Sequence, residues 1–89
     1  MKPEQLADVD PPGCIRRIQL FNCTSFNRRL QYHDDLVWAG ATIQDFKYNF
    51  KAEMIEFKII LNCSLASFLE KFKKTRTWEI AAMDAVKND

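Results

Sequence analysis

Two neighbouring segments of the chain alternate apolar and polar residues with a period of two. In residues 42–50, Phe46, Tyr48 and Phe50 are separated by polar residues, and in residues 54–61 the odd-numbered positions 55 to 61 are apolar. Three residues, Lys51-Ala52-Glu53, connect the segments. Such alternation is typical of paired antiparallel strands with one buried face. The sequence therefore predicts a β-hairpin, around which the rest of the chain must pack.

Two other segments have helical periodicity. In residues 24–40, apolar residues and the single histidine recur at a spacing of three or four, at positions Phe26, Leu30, His33 and Val37, with Leu36 beside them. Thr24 or Ser25 is a candidate N-cap, and Gly40 stands where a C-terminal glycine cap belongs. Residues 64–74 predict a second amphipathic helix, with an apolar face formed by Leu65, Phe68, Leu69 and Phe72.

The ends of the domain are predicted as strands. Residues 14–21 alternate around Ile18 and Leu20, and residues 78–86 alternate around Trp78 and Ile80. The last segment also contains good helix formers, so a continuation of the second helix is the alternative.

These elements give the order β-α-β-β-α-β. We predict an α+β domain of the ferredoxin-like, split βαβ type, with an antiparallel sheet and two helices on one face. A shift of 40 residues lays one half of the chain on the other, with Trp38 on Trp78, although the inward-facing strand positions differ in parity between the halves. A β-meander followed by one long C-terminal helix is the alternative architecture.

The length of 89 residues allows one domain. Residues 1–13 are polar and acidic and end in Pro11-Pro12-Gly13, which predicts a flexible N-terminal arm before a single domain over 14–89. The N-terminal residues lack the apolar stretch of a secretory signal, and no apolar run approaches the length of a membrane span. We therefore expect a cytoplasmic or otherwise intracellular protein that has no contact with membranes.

The residues that commonly carry chemistry are few. Cys14, Cys23 and Cys63 are an odd number of cysteines without a Cys-x-x-Cys pair, and His33 is the single histidine. This pattern favours free thiols over a zinc site. We expect no metal site, no cofactor and no catalytic residues, and hence a protein that is not an enzyme.

One short motif has a catalytic counterpart. The segment Leu30-Gln31-Tyr32-His33-Asp34-Asp35-Leu36 resembles the Tyr-x-Asp-Asp hairpin of retroviral-type reverse transcriptases, in which adjacent carboxylates help to hold metal ions. The resemblance implies a hairpin turning at Asp34-Asp35 and a metal-dependent activity. It covers about seven residues, and the alternative interpretation is a pair of solvated carboxylates.

Nucleic-acid binding is the alternative function. Phe46, Tyr48 and Phe50 form an aromatic stripe that could stack unpaired bases, with Arg28 and Arg29 contacting phosphates. Residues 18–23 loosely resemble the first-strand motif of RNA-recognition domains. The competing interpretation, which we favour, is that the three rings pack beneath the helices as core. The net charge of +1 also argues against a protein that wraps a polyanion.

The leading hypothesis is therefore a small protein-binding module, such as an adaptor, an inhibitor or an assembly subunit. Its partner would be another protein or a second copy in a homodimer. The outer sheet face would be mixed in charge with apolar interruptions, which suits protein recognition. The predicted partner-binding residues, on this face and in the basic segment after the second helix, are Arg17, Phe21, Lys47, Lys58, Ile60, Lys73, Lys74 and Arg76.

Overall fold

The computed structural model describes residues 14–88, and the side chains of residues 14–78. The predicted N-terminal arm, residues 1–13, lies outside the described residues. The elements in chain order are β1 (Arg16–Leu20), α1 (Phe26–Trp38), β2 (Ala41–Asn49), β3 (Met54–Leu61), α2 (Leu65–Phe72), a 3-10 helix (Arg76–Ile80) and β4 (Ala81–Asn88). The strands are antiparallel to their neighbours in the order β2-β3-β1-β4, so β2 lies at one edge of the sheet.

One hydrophobic core joins the sheet to both helices. The buried residues include Ile18 and Leu20 of β1, alternate residues of β3 such as Phe57, and residues of both helices such as Leu36 and Phe68. Both helices therefore pack on the same face of the sheet, and the other face carries the polar residues of β1 and β3. The predicted α+β class, with an antiparallel sheet and two helices, is confirmed. The meander alternative is wrong, because α1 separates β1 from β2 and residues 81–88 form a strand.

Local signals in the sequence determine where the helices begin and end. The hydroxyl of Ser25 accepts a hydrogen bond from the Arg28 backbone N–H (3.1 Å), and Ser64 caps α2 through the N–H of Ser67 (3.1 Å). Gly40 follows α1 with φ +110°, a conformation that favours glycine. The predicted N-cap of α1 and the predicted glycine at its C-terminal end are therefore confirmed.

The buried face of α1 differs from the predicted face. Tyr32 and Leu36 are buried, whereas Phe26, Leu30 and Val37 are 64, 43 and 49 % exposed. The helix is rotated so that the Tyr32 hydroxyl donates to the carbonyl of Phe21 (2.7 Å), which gives a buried polar group its partner. This rotation leaves an apolar stripe of α1 in solvent.

The final strand begins later than predicted. Residues 76–80 form the 3-10 helix, and the strand starts at Ala81 rather than at Trp78. Thr77 is buried and donates a hydrogen bond to the carboxylate of Asp35, which fastens this turn to α1. Trp78 packs edge-on against Phe72, with ring centroids 6.3 Å apart. No helix among the described residues is both long and apolar enough to cross a membrane.

Candidate functional site

A groove lies between the start of α1 and the edge strand β2. It has a volume of about 470 Å³. We call it the aromatic groove, and its lining residues are Cys23, Thr24, Ser25, Phe26, Arg29, Phe46, Tyr48 and Phe50. Four of the eight are aromatic, and Arg29 is the charged residue among them.

The loop between β1 and α1 forms one wall of the groove and is held by three hydrogen bonds. The backbone N–H of Cys23 donates to the carbonyl of Glu53 in the β2–β3 turn (2.8 Å). The Tyr48 hydroxyl donates to the Cys23 carbonyl, and Tyr32 donates to Phe21 as described above. The groove is thus built on backbone that is tied to two strands and a helix, which gives it a fixed shape.

The rings of Phe46, Tyr48 and Phe50 are more exposed than we expected from the sequence. Phe46 is 44 % exposed and Phe50 is 83 % exposed, while Tyr48 is half-buried against the core. Phe46 pairs with Phe57 and Tyr48 with Ile55, so both rings do point to the helix-bearing side. The prediction that all three rings are core is wrong, because β2 has a neighbouring strand on one side and α1 covers this end of it incompletely.

A bulge in β2 explains why these even-numbered residues face the helices. Ile43 pairs with Ile59 and Asp45 pairs with Lys58, so Gln44 is an extra residue in β2. Before the bulge odd-numbered residues of β2 face the core, and after it even-numbered residues do. The bulge therefore brings Phe46 and Tyr48 into the groove and places Asp45 and Lys47 on the opposite face.

Arg29 lies between two of the rings that line the groove. Its guanidinium lies 4.6 Å from the centroid of the Phe26 ring and 4.5 Å from that of Phe46. Both distances are within the range of cation–π contacts. A cation held between two exposed rings gives a surface with apolar walls and a positive charge.

The groove continues into a second depression along α1. This depression has a volume of about 400 Å³, and it is lined by Arg29, Leu30, His33, Ile43, Gln44, Asp45, Phe46 and Phe57. Arg29 and Phe46 belong to both. The exposed stripe of α1, with Phe26 and Leu30, therefore borders one extended apolar surface beside β2.

The groove has a positive electrostatic character at Cys23. Burial raises the pKa of the Cys23 thiol, while the positive charges of Arg29 and Arg28 act in the opposite direction. Loss of solvent also raises the pKa of Tyr48, and the charges of Cys23 and Glu53 add to this rise. At neutral pH both groups are therefore uncharged; the positive charges of Arg28 and Arg29 act on Cys23, and the negative charge of Glu53 acts on Tyr48.

The residues proposed for the nucleic-acid alternative meet at this site. Phe46, Tyr48, Phe50 and Arg29 line the groove, and Arg28 is the exposed residue beside Arg29. Sequence reasoning missed Phe26 as a surface residue, because its spacing matched a core-facing stripe. Its position at the first turn of α1, next to the N-cap, was the available signal that it could lie beyond the sheet.

The predicted partner-binding residues are divided between separate regions. Arg17, Lys47 and Lys58 meet on the sheet face opposite the helices, where they surround Asp45 and Glu56. Arg17 forms an ion pair with Glu56 (3.4 Å), and the Gln19 amide donates to the same carboxylate (3.2 Å). This surface is polar and largely compensated in charge. Ile60 lies half-buried on the same face, opposite Thr42.

The other predicted residues lie away from that face. Phe21 follows β1 and is 39 % exposed. Lys73, Lys74 and Arg76 are exposed at the end of α2, on the helix side of the sheet. Lys73 lies over the ring of Trp78, with its ammonium 5.4 Å from the centroid. The eight residues therefore do not form one continuous surface.

The motif Tyr32-His33-Asp34-Asp35 lies within α1 and does not form a hairpin. Tyr32 is buried, Asp35 accepts a hydrogen bond from Thr77, and Asp34 is exposed. Among the residues that the structure describes, no group of three or more histidine, cysteine or acidic side chains is placed to hold a metal ion. The geometry that the resemblance implied is therefore absent from this segment.

Comparisons with models of protein families, with curated proteins and with solved structures found no match to the chain.

Proposed function

We propose that the chain is a non-enzymatic protein-binding module and that the aromatic groove is its binding site. The observation that carries the proposal is the cluster of exposed rings around Arg29. Phe26, Phe46 and Phe50 are all large apolar side chains left in solvent at one place. Aromatic residues with an arginine among them are enriched at the centres of protein interfaces.

The charge of the groove specifies the chemistry of the partner. Arg29 is its charged lining residue, and Arg28 lies beside it. A partner segment that inserts an aromatic or large aliphatic side chain next to a carboxylate would match both the apolar walls and the positive charge. We therefore propose an acidic, apolar segment of another protein as the ligand.

Peptide display tests this chemistry without knowledge of the partner. Random peptides are selected on the wild-type domain and counter-selected on Phe26→Ser/Phe50→Ser, with Trp38→Ser as a control at an exposed aromatic residue that does not line the groove. We expect enriched peptides to carry an aromatic or large aliphatic residue beside Asp or Glu, and to bind the control variant like the wild type. Enrichment of basic peptides, or equal binding to the groove variant, would contradict the proposal.

Single-stranded nucleic acid is the second candidate, supported by the meeting of Phe46, Tyr48 and Phe50 with two arginines. The contacts that Arg29 already makes with Phe26 and Phe46 weigh against it, because they compete for the ring surfaces that bases would stack on. Titration with oligouridylate at several salt concentrations separates the candidates. Binding that weakens steeply with salt and is lost in Phe50→Ser would favour nucleic acid.

We also infer that the domain is ferredoxin-like. The element order and the strand order β2-β3-β1-β4 support this assignment, since two βαβ units then share one antiparallel sheet. That fold serves many unrelated functions, so the binding proposal depends on the groove and not on the fold.

A further inference from the structure

The outer edge of β2 has backbone groups directed away from the sheet. The pair Phe46 and Phe57 is of the non-hydrogen-bonded type, so the N–H and C=O of Phe46 point to the edge. The hydrogen bond from the Asn62 N–H to the Gly40 carbonyl (2.8 Å) supports this assignment. By alternation, the backbone N–H and C=O groups of the even-numbered residues of β3 point to β2, so those of Phe57 point away from it. Tyr48, two residues further along, presents its backbone in the same direction.

The outward-pointing N–H of Phe46 already has a hydrogen-bond acceptor in the same strand. The Phe46 N–H donates to the carboxylate of Asp45 at 2.8 Å, and Asp45 is exposed. This bond is local and exposed, and a local bond from an Asp side chain to a backbone N–H is in competition with the ladder of a neighbouring strand. The edge is therefore available to a second strand that offers a carbonyl to Phe46 and a cation to Asp45.

We propose that β2 pairs antiparallel with β2 of a second copy of this chain, about a two-fold axis at Phe46. In this register each Phe46 N–H donates to the Phe46 carbonyl of the other copy. Asp45 then lies opposite Lys47 of the second copy, and Lys47 opposite its Asp45. The strand is thus complementary to itself in charge, which is what a two-fold interface requires.

The same register places the apolar residues together. Directly opposed residues share a face of the sheet, so the two Phe46 rings meet on the helix-bearing side, beside the two aromatic grooves. The charged pairs form on the other face, where both Asp45 and Lys47 are exposed. The bulge at Gln44 limits pairing to a few residues, which predicts a reversible dimer and not an extended aggregate.

This inference goes beyond the proposed function. A groove that binds acidic peptides does not require a paired β2, and a β2 dimer does not require a peptide. The two share Phe46, but Phe50→Ser changes a groove residue outside β2, and Lys47→Asp changes a residue of the edge strand that does not line the groove. Failure of one proposal is therefore distinguishable from failure of the other.

Sedimentation equilibrium of the full chain, over about 10 μM to 1 mM, tests the dimer. We expect a reversible monomer–dimer equilibrium for the wild type. Lys47→Asp places like charges opposite each other at two symmetric positions and should raise the dissociation constant about tenfold or more. Asp45→Lys should weaken the dimer similarly.

The double variant Asp45→Lys/Lys47→Asp is the matched control. It restores opposite charges across the interface, so dimerisation should return towards the wild-type level. Within one chain, Lys47 lies opposite Glu56 and Asp45 opposite Lys58, and the double variant keeps both unfavourable internal pairs. Recovery therefore reports the contact between copies and not a repaired fold, which unfolding curves of each variant check independently.

Three results would overturn the inference. The first is a wild-type chain that remains monomeric at the highest concentration, which would leave the edge blocked by Asp45 or available to a strand of a different protein. The second is a dimer that Lys47→Asp does not weaken. The third is a double variant that folds like the wild type but shows no recovery.

Discussion

At the scale of single residues, Arg29 determines what the groove is. A leucine or methionine at this position would place an apolar side chain without charge beside Phe26 and Phe46. The guanidinium instead lies between the two rings, 4.6 and 4.5 Å from their centroids, and keeps contact with solvent. Because arginine is a cation with an apolar stem, it supports both rings without closing the groove.

Titration of the Cys23 thiol is expected to make the free energy of unfolding depend on pH above neutrality. Its folded pKa is raised from the ordinary value of 9.0 by burial, so the folded state holds the proton more tightly than the unfolded state. The contribution to stability is therefore fully present below pH 9 and is lost as pH rises through the folded pKa. We predict that the melting temperature of the reduced wild type falls as pH rises above about 9.

The variant Cys23→Ala isolates this effect. Removal of a buried thiol should lower the melting temperature at neutral pH, because it leaves a small cavity. The fall above about pH 9 should nevertheless be shallower than in the wild type, since the titrating group is gone. Parallel curves for the two proteins, followed by circular dichroism, would show that Cys23 is not the group responsible.

At the scale of the elements, the junction of α1 and β2 depends on Gly40. Its φ of +110° disfavours residues with a side chain, and a Cβ built there would lie 2.8 Å from the sulfur of Cys63. We predict that Gly40→Ala lowers the free energy of unfolding by about 1–3 kcal/mol, measured by urea titration. Ala39→Gly, one residue earlier at an ordinary helical φ, is a comparison for effects of the helix end alone.

The interpretation of Gly40 depends on the contact with Cys63. In the variant Gly40→Ala/Cys63→Ala the close sulfur is absent, so part of the lost stability should return, and what remains reports the backbone conformation. A Gly40→Ala variant as stable as the wild type would contradict the conclusion that residue 40 has no room for a side chain beside Cys63.

The sequence predicted those elements whose signals are local. The alternation of residues 54–61, the cap Ser25 and Gly40 all specified structure that is present, because period and hydrogen-bond chemistry act over a few residues. The buried face of α1 was predicted only at Leu36, because burial of Tyr32 depends on a hydrogen bond to the carbonyl of Phe21, which lies outside the helix. The bulge at Gln44 likewise depends on pairing with β3.

The candidate site was predicted only in part, because its exposure depends on how the elements pack together. The alternation of Phe46, Tyr48 and Phe50 correctly placed Phe46 and Tyr48 on one side of a strand, but it contains nothing about whether the strand is central or at an edge. Exposure is decided by the position of β2 in the sheet and by the reach of α1. Both are properties of tertiary structure, which is why core and surface interpretations of the rings remained open.

At the scale of the whole molecule, the two faces of the sheet have different character. The face opposite the helices is polar, with Arg17 and Glu56 paired in its centre. The helix-bearing face is a closed core around Phe57, Phe68 and Phe72 that opens into the aromatic groove towards the β2 edge. A binding function of the described part of the chain is therefore expected at that edge.

Solvent exposure of the phenylalanine rings tests this account most directly. A soluble paramagnetic probe is added to the domain with labelled phenylalanines, and ring relaxation is measured by NMR, in the wild type at low concentration and in Lys47→Asp. We predict strong relaxation for Phe26 and Phe50, intermediate relaxation for Phe46, and little for Phe57, Phe68 and Phe72. If Phe26, Phe46 and Phe50 are instead as protected as those three core rings in both proteins, there is no open groove and the proposed binding site is contradicted.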